Sequence, residues 1–174
     1  FCSTNVNDVL RRFIDGGVLE PLVTQPSVAP SMDIQIPSSL ERLIFDLSDG
    51  VKEFYVQLQS NSKAQLDKKS FDALKSIFSS FTFPDDIITT LITSLHTEFD
   101  IIFDPHSVTS VQMALDNDSS LSTVAVATAS PEKFGNVISP LINGFTESKI
   151  DQKEQYLTLN TENTVIIEAI KAFI

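Results

Sequence analysis

Three short stretches of this chain crowd hydroxyl, amide, carboxylate and imidazole groups into places where an extended run gives way to a helix. The first is Thr4-Asn5-Val6-Asn7-Asp8. Capping the helix that follows uses one or two of these side chains and leaves the others over. The second is Asp104-Pro105-His106-Ser107. Asp-Pro initiates turns, and His106 is a side chain suited to acid-base work or to an anion contact. The plainer reading is a capping turn with an exposed histidine. The third is Ala127-Thr128-Ala129-Ser130-Pro131-Glu132-Lys133-Phe134. Proline at a first helical position marks a helix start, and ligands in open α/β sheets sit at the carboxyl ends of strands. The hydroxyls of Thr128 and Ser130 would line such a site. The plainer reading makes Thr128 a strand former and Ser130 an N-cap.

The elements that must position these groups are legible from periodicity. Val9, Leu10, Phe13 and Ile14 share one helical face, with Asn5 or Asn7 to cap its start, Asp8 at the positive end of its dipole and Gly16-Gly17 to stop it. Phe1 to Thr4 reads as the tail of a strand. Val18–Thr24 and Asp33–Ile36 read as extended pieces broken by Pro21, Pro26 and Pro30. Ser38-Ser39-Leu40-Glu41 has the spacing of a capping box, followed by a stripe of Leu40, Leu43, Ile44 and Leu47. Val51, Phe54, Tyr55 and Leu58 form another stripe. Residues 59–70 are polar and read as an exposed linker. Phe71, Leu74, Ile77, Phe78 and Phe81 are helically spaced, as are Ile87, Ile88, Leu91, Ile92 and Leu95 behind a Pro84-Asp85-Asp86 start. His96, next to that face, reads as a surface histidine. Ile101–Phe103 is a short apolar run leading to a helix with Val108, Val111, Ala114 and Leu115. Leu121–Ala129 is the one strong strand, its small and β-branched residues matching a strand covered on both faces. Helices through Phe134, Val137 and Ile138, and through Val165 to Phe173, complete the chain. Strand-like pieces alternating with helices predict an α/β class in which helix dominates and the few strands are parallel.

Composition narrows the function classes. The chain has 174 residues, 42% hydrophobic and 20% charged, enough to bury a core of one domain or one and a half. Acidic residues outnumber basic ones by 23 to 12, for a net charge of −11, which disfavours nucleic acid and anionic membrane as partners. Cys2 is the single cysteine, so an intrachain disulfide is excluded. No apolar run approaches the roughly 18 residues of a membrane span. One cysteine and two histidines cannot make a zinc site. No nucleophile elbow, Walker loop or dinucleotide fingerprint occurs, and five glycines leave little material for a phosphate cradle. A soluble, acidic protein of the cytoplasm is the expectation.

The junctions, in their order, resemble threonine synthase of the long form found in fungi and many bacteria. Ser3-Thr4-Asn5-Val6-Asn7-Asp8-Val9-Leu10 is similar to that family's Ala-Thr-Asn-x-Asn-Asp-x-Leu. Ala29-Pro30-Ser31-Met32-Asp33-Ile34 resembles its Ser-Pro-Ser-Met-Asp-Ile, and Ser38-Ser39-Leu40-Glu41-Arg42-Leu43 its Ser-Asn-Phe-Glu-Arg-Leu. Asp104-Pro105-His106-Ser107 is similar to its Asp-Pro-His-Thr, and Ala127-Thr128-Ala129-Ser130-Pro131-Glu132-Lys133-Phe134 to its Ala-Thr-Ala-His-Pro-Ala-Lys-Phe. The matches span residues 3–134. Residues 50–95 and the tail beyond 140 carry none.

The resemblance implies a fold-type-II enzyme that uses pyridoxal 5'-phosphate to convert O-phosphohomoserine and water into threonine and phosphate. It implies Thr128 as the hydroxyl partner of the cofactor's pyridine nitrogen, Asn5 and Asn7 on the cofactor side, and Asp8, Asp104, His106 and Ser130 on the substrate side. It also implies a Schiff-base lysine in a Phe-Lys-Asp context and a Gly-Asn-Phe-Gly-Asn phosphate loop. None of the nine lysines lies between Phe and Asp, and the adjacent glycines Gly16-Gly17 fit a helix end. Residues 1–174 are therefore expected to be the C-terminal part of such an enzyme, inactive alone, with a sheet edge through which copies could associate. Three positions depart from the pattern: Ser130 replaces the family's His, Ser39 its Asn and Ala29 its first Ser. They leave open a related phospho-lyase that eliminates phosphate without forming threonine. A non-enzymatic acidic helical scaffold is the other alternative.

Overall fold

The computed structural model describes residues 1–117 and 122–146. The expected helix over Val165–Phe173 and the start of the expected strand at Leu121 lie outside those residues.

The first strand, β1 (Cys2–Thr4), leads into helix α1 (Val9–Gly16). Val9, Phe13 and Ile14 are the buried face of α1, as their spacing requires. Gly17 ends the helix in the left-handed region, at φ 72°. A Cβ there would lie 2.8 Å from the Phe71 ring, so both backbone conformation and packing demand glycine. Strand β2 (Val18–Leu19) follows at once. The extended piece expected through Thr24 stops at Leu19, because Pro21 and Pro26 offer no N–H to a neighbouring strand. Residues 33–36 are irregular, and a short 3₁₀ turn spans Pro30–Met32.

Helices α2 (Leu40–Leu47) and α3 (Val51–Asn61) pack against α1 through Leu40, Ile44, Phe54 and Leu58. The expected capping box does not form. α2 starts at Leu40, which puts Ser39 in place of Ser38 at the cap, and Ser39 is itself helical in backbone and makes no side-chain cap. Residues 59–70 are exposed at most positions, yet they are built into the fold. They hold the end of α3, strand β3 (Ala64–Gln65), buried Leu66, and Asp67, whose carboxylate caps helix α4 (Lys68–Ile77). β3 pairs antiparallel with β2, Leu19 opposite Ala64.

Helix α4 is shorter than its apolar spacing predicts. Phe78 already has extended backbone, and Phe81 sits in strand β4 (Ser80–Thr82), which pairs in parallel with β1, Thr4 opposite Thr82. Pairing with β1 has overridden the local helical pattern. Helix α5 (Asp85–Phe99) starts after Pro84 as expected and buries Ile88, Ile92 and Leu95. His96, expected on the surface, is half-buried, and its Nδ1 is out of contact with water and unpartnered. Residues 101–104 form no strand and run directly into helix α6 (Ser107–Leu115). A 3₁₀ turn (Pro131–Phe134) and helix α7 (Gly135–Ile138) follow. α5, α6 and α7 share a second core of Ile88, Ile92, Val108 and Ile138 around Ala29.

The clearest departure concerns residues 122–129. They are not a covered strand. Val124 is 83% and Val126 66% exposed. A strand needs a paired neighbour to satisfy its N–H and C=O groups, and among the described residues none lies beside this segment. The fold is α/β, helix-rich, with few strands, and no described helix is long and apolar enough to cross a membrane.

Candidate functional site

The first junction is the turn between β1 and α1. Thr4 closes the strand, its hydroxyl 3.0 Å from that of Thr82 and its carbonyl accepting from Phe83 N–H at 2.8 Å. Asn5 and Asn7 are buried, and every polar atom of their side chains is used within the protein. The Asn5 Nδ2 donates to Ser27 Oγ (2.6 Å), Asp33 Oδ1 (2.6 Å) and the Ala29 carbonyl (3.2 Å). Its oxygen accepts from Asn7 N–H at 2.9 Å. The Asn7 Nδ2 donates to the Gln25 carbonyl (2.8 Å) and Asp33 Oδ1 (3.0 Å), while its oxygen accepts from Gln25 N–H and Gln35. The two asparagines fasten the loop 25–35 to the end of β1. Neither caps α1. Asp8 holds that position without a capping bond and instead meets Arg11 and Arg12. Partial burial raises the Asp8 carboxyl, but hydrogen bonds and charge from the two guanidiniums prevail and hold it below its usual range.

The second junction is also buried. Asp104 is 1% exposed and His106 6%. The carboxylate Oδ1 accepts from the N–H of His106 (2.9 Å) and of Ser107 (3.3 Å), capping α6 from just outside its first turn. The same oxygen lies 2.9 Å from His106 Nδ1, and His106 Nε2 lies 3.0 Å from Ser31 N–H. A backbone N–H can only donate, so Nε2 accepts and the ring proton sits on Nδ1, directed at Asp104. The expected exposed histidine is thus a buried, neutral connector between α6 and the loop 25–35. Its ring packs 4.7 Å, centroid to centroid, from Phe134. Burial raises the Asp104 carboxyl, and the hydrogen bonds from His106 and Ser107 outweigh it, so the group stays below the ordinary carboxylate range.

The third junction lies on the outside. Thr128 and Ser130 are exposed, and their hydroxyls take no hydrogen bond among the described residues. The Thr128 backbone N–H donates to Ser107 Oγ at 3.0 Å. Helix α6, which the second junction opens, therefore stands between the first and the third. Ser3 meets Thr109 at 2.8 Å on the β1 side, Ser107 meets Thr128 on the other, and His106 reaches Ser31.

Asp33, Ser27 and Ser31 carry much of this arrangement with Ser107 of the second junction, and side-chain type alone did not single out the first three. Asp33 accepts from both asparagines and from the hydroxyl and N–H of Ser27. The signal available was its place beside Ser31 in Ala29–Ile34. Chemically, the assembly offers exposed neutral hydroxyls at Thr128 and Ser130 over a buried anion, with no candidate metal cluster among the described residues.

No family model matches the chain. It is 30% identical over 142 residues to threonine synthase from Pseudomonas aeruginosa, a match covering 78% of this chain and 30% of that protein. It is 28% identical over 173 residues to threonine synthase from Saccharomyces cerevisiae, covering 86% of this chain and 34% of that protein. Among solved structures, a pyridoxal-phosphate-bound threonine synthase from Brucella melitensis superposes with a TM-score of 0.78 at 28% identity, over 97% of this chain and 39% of that one. The chain spans about a third of the length of these relatives. It is a homologue of threonine synthases over that stretch and has the fold-type-II architecture they share there.

Proposed function

Because the chain is homologous to threonine synthases, we propose that it forms part of a pyridoxal-phosphate-dependent lyase converting O-phosphohomoserine and water into threonine and phosphate. The observation that carries the reading is that the second junction and the helix α6 it opens link the other motif-bearing segments, Ser3 through Thr109, Thr128 through Ser107 and Ser31 through His106. When bound, pyridoxal phosphate supplies the electron sink for such elimination and addition.

The described residues suit one end of that cofactor. Thr128 offers an exposed hydroxyl that takes no hydrogen bond among the described residues, a neutral partner of the kind a pyridine nitrogen accepts from. The phosphate end has no counterpart here, since Gly17 is filled by Phe71 and ends a helix. In this reading Asn5 and Asn7 serve the cofactor side by fixing the loop 25–35, and Asp104 and His106 support the substrate side from beneath. Ser130, beside Thr128, faces the substrate. The 174 residues contain neither a Phe-Lys-Asp nor a Gly-Asn-Phe-Gly-Asn sequence. We therefore propose that they do not turn over substrate in isolation.

The test is to incubate the intact protein with cofactor and O-phosphohomoserine and measure products. Threonine and phosphate in equal amounts support the proposal. Phosphate with a keto acid in place of threonine assigns the chain to a phospho-lyase, the outcome that Ser130, Ser39 and Ala29 would favour. No phosphate release overturns both.

A further inference from the structure

Residues 122–129 form no strand and have none beside them among the described residues, yet their backbone is not loose at the point that matters. The Thr128 N–H donates to Ser107 Oγ at 3.0 Å, and the Val126 carbonyl lies 3.2 Å from Ser110 Oγ. On a helix, side chains three apart lie on one side, a turn from each other. Ser107 and Ser110 thus hold residues 126–128 by two backbone groups from one side of α6. The Ser110 hydroxyl also donates to its own helix, to the Ser107 carbonyl at 2.8 Å, so its single proton is shared. The Ser107 contact is the firm one.

Ser107 is itself held. It is 1% exposed, and its N–H donates to Asp104 Oδ1 at 3.3 Å. Its hydroxyl, having accepted from Thr128, keeps a proton to give, and the Asp104 carboxylate beside it has a buried, unpartnered oxygen, Oδ2. That carboxylate is fixed in turn by His106, and His106 by Ser31. Hydrogen bonds thus lead from the part-buried Thr128 N–H to the Ser107 hydroxyl, and from the Ser107 N–H to the buried Asp104 carboxylate.

From this geometry we infer that Ser107 is a positioning residue, which sets the register of Thr128 against the rest of the site. The inference rests on the reading that Thr128 meets the cofactor. Ser107→Thr would reproduce the Asp-Pro-His-Thr pattern of threonine synthases and keep the hydroxyl, so the register should survive it. Ser107→Ala and Ser107→Cys remove or weaken the acceptor.

Two measurements on the intact protein test this. Hydrogen exchange at the Thr128 amide should quicken about tenfold or more in Ser107→Ala and Ser107→Cys and stay at the wild-type rate in Ser107→Thr. After loading with pyridoxal phosphate, the visible spectrum of Ser107→Ala should move in the direction that Thr128→Val moves it, and that of Ser107→Thr should not. Unchanged Thr128 exchange in Ser107→Ala and Ser107→Cys would overturn the tether. Quickened exchange with an unaltered spectrum would overturn the positioning role. If wild-type protein takes up no cofactor, the proposed function fails instead, while the exchange result still decides the tether.

Discussion

Ser31 donates its N–H to His106 Nε2 at 3.0 Å, and this one bond dictates what His106 does on its other side. With Nε2 occupied as an acceptor, the ring proton must be on Nδ1, where it reaches Asp104 Oδ1 at 2.9 Å. The imidazole passes the polarity of a buried carboxylate to a loop more than seventy residues away in sequence.

Replacing His106 by alanine leaves a buried carboxylate short of a donor and the Ser31 N–H without an acceptor. We expect a loss of about 2–4 kcal/mol in the intact protein, read as a lower urea midpoint at unchanged slope. Combined with Asp104→Ala in a double-mutant cycle, the two losses should be non-additive by at least about 1 kcal/mol. Additive losses would disprove the coupling.

Acid should loosen the site. The Asp104 carboxyl is held below its usual range when folded, so its contribution is complete above the unfolded value, about pH 4. That contribution is lost as pH falls through the folded value. Asp8 acts in the same direction, more weakly because it is partly exposed. Urea midpoints measured from pH 6 downward should fall less steeply in Asp104→Asn than in wild type, from a lower starting stability. Parallel curves would remove Asp104 from the account.

Asp33 is the common acceptor for Asn5, Asn7 and Ser27. Asp33→Ala should free the loop 25–35 before it unfolds the helices. Limited proteolysis is expected to cut within residues 20–36 several-fold faster, with far-ultraviolet circular dichroism little changed. An unaltered cleavage pattern would mean that the proline-rich loop holds itself.

Gly17→Ala meets two obstacles, the left-handed backbone and the Phe71 ring at 2.8 Å. A destabilisation of about 2 kcal/mol is expected. Adding Phe71→Leu should recover the steric share and leave the conformational share, about 1 kcal/mol, in place. Full recovery would show that the backbone angle costs nothing.

Helical elements with a continuous apolar face were legible in the sequence. α1, α3 and α5 bury most of the residues whose spacing announced them, though Ile87 of α5 is 43% exposed, because a helix satisfies its own backbone and needs only one apolar side. Strands were not, for the opposite reason. Phe81 continued the helical spacing of Phe71 and Leu74, yet β1 recruited it into β4. Leu121–Ala129 had the composition of a buried strand, but among the described residues no neighbour supplies the pairing. In the site, Asn5, Asn7, Asp104 and His106 stood out by residue type, and Asp104 does cap α6 as the plainer reading held. Their burial could not be read, because it depends on Asp33 and Ser31 folding back from a loop whose prolines gave no periodic signal.

The pairing of β1 with β4 joins Cys2 to Ser80 in parallel, across a loop of nearly half the chain. Closing a flexible loop that long costs about 4 kcal/mol of chain entropy, set against only three residue pairs. That contact can form only after α1 to α4 have drawn their ends together. The turn bearing Asn5 and Asn7 hangs from β1, so the site is expected to be among the last parts of the molecule to reach its native arrangement, and refolding should regain helix earlier than it regains ligand binding.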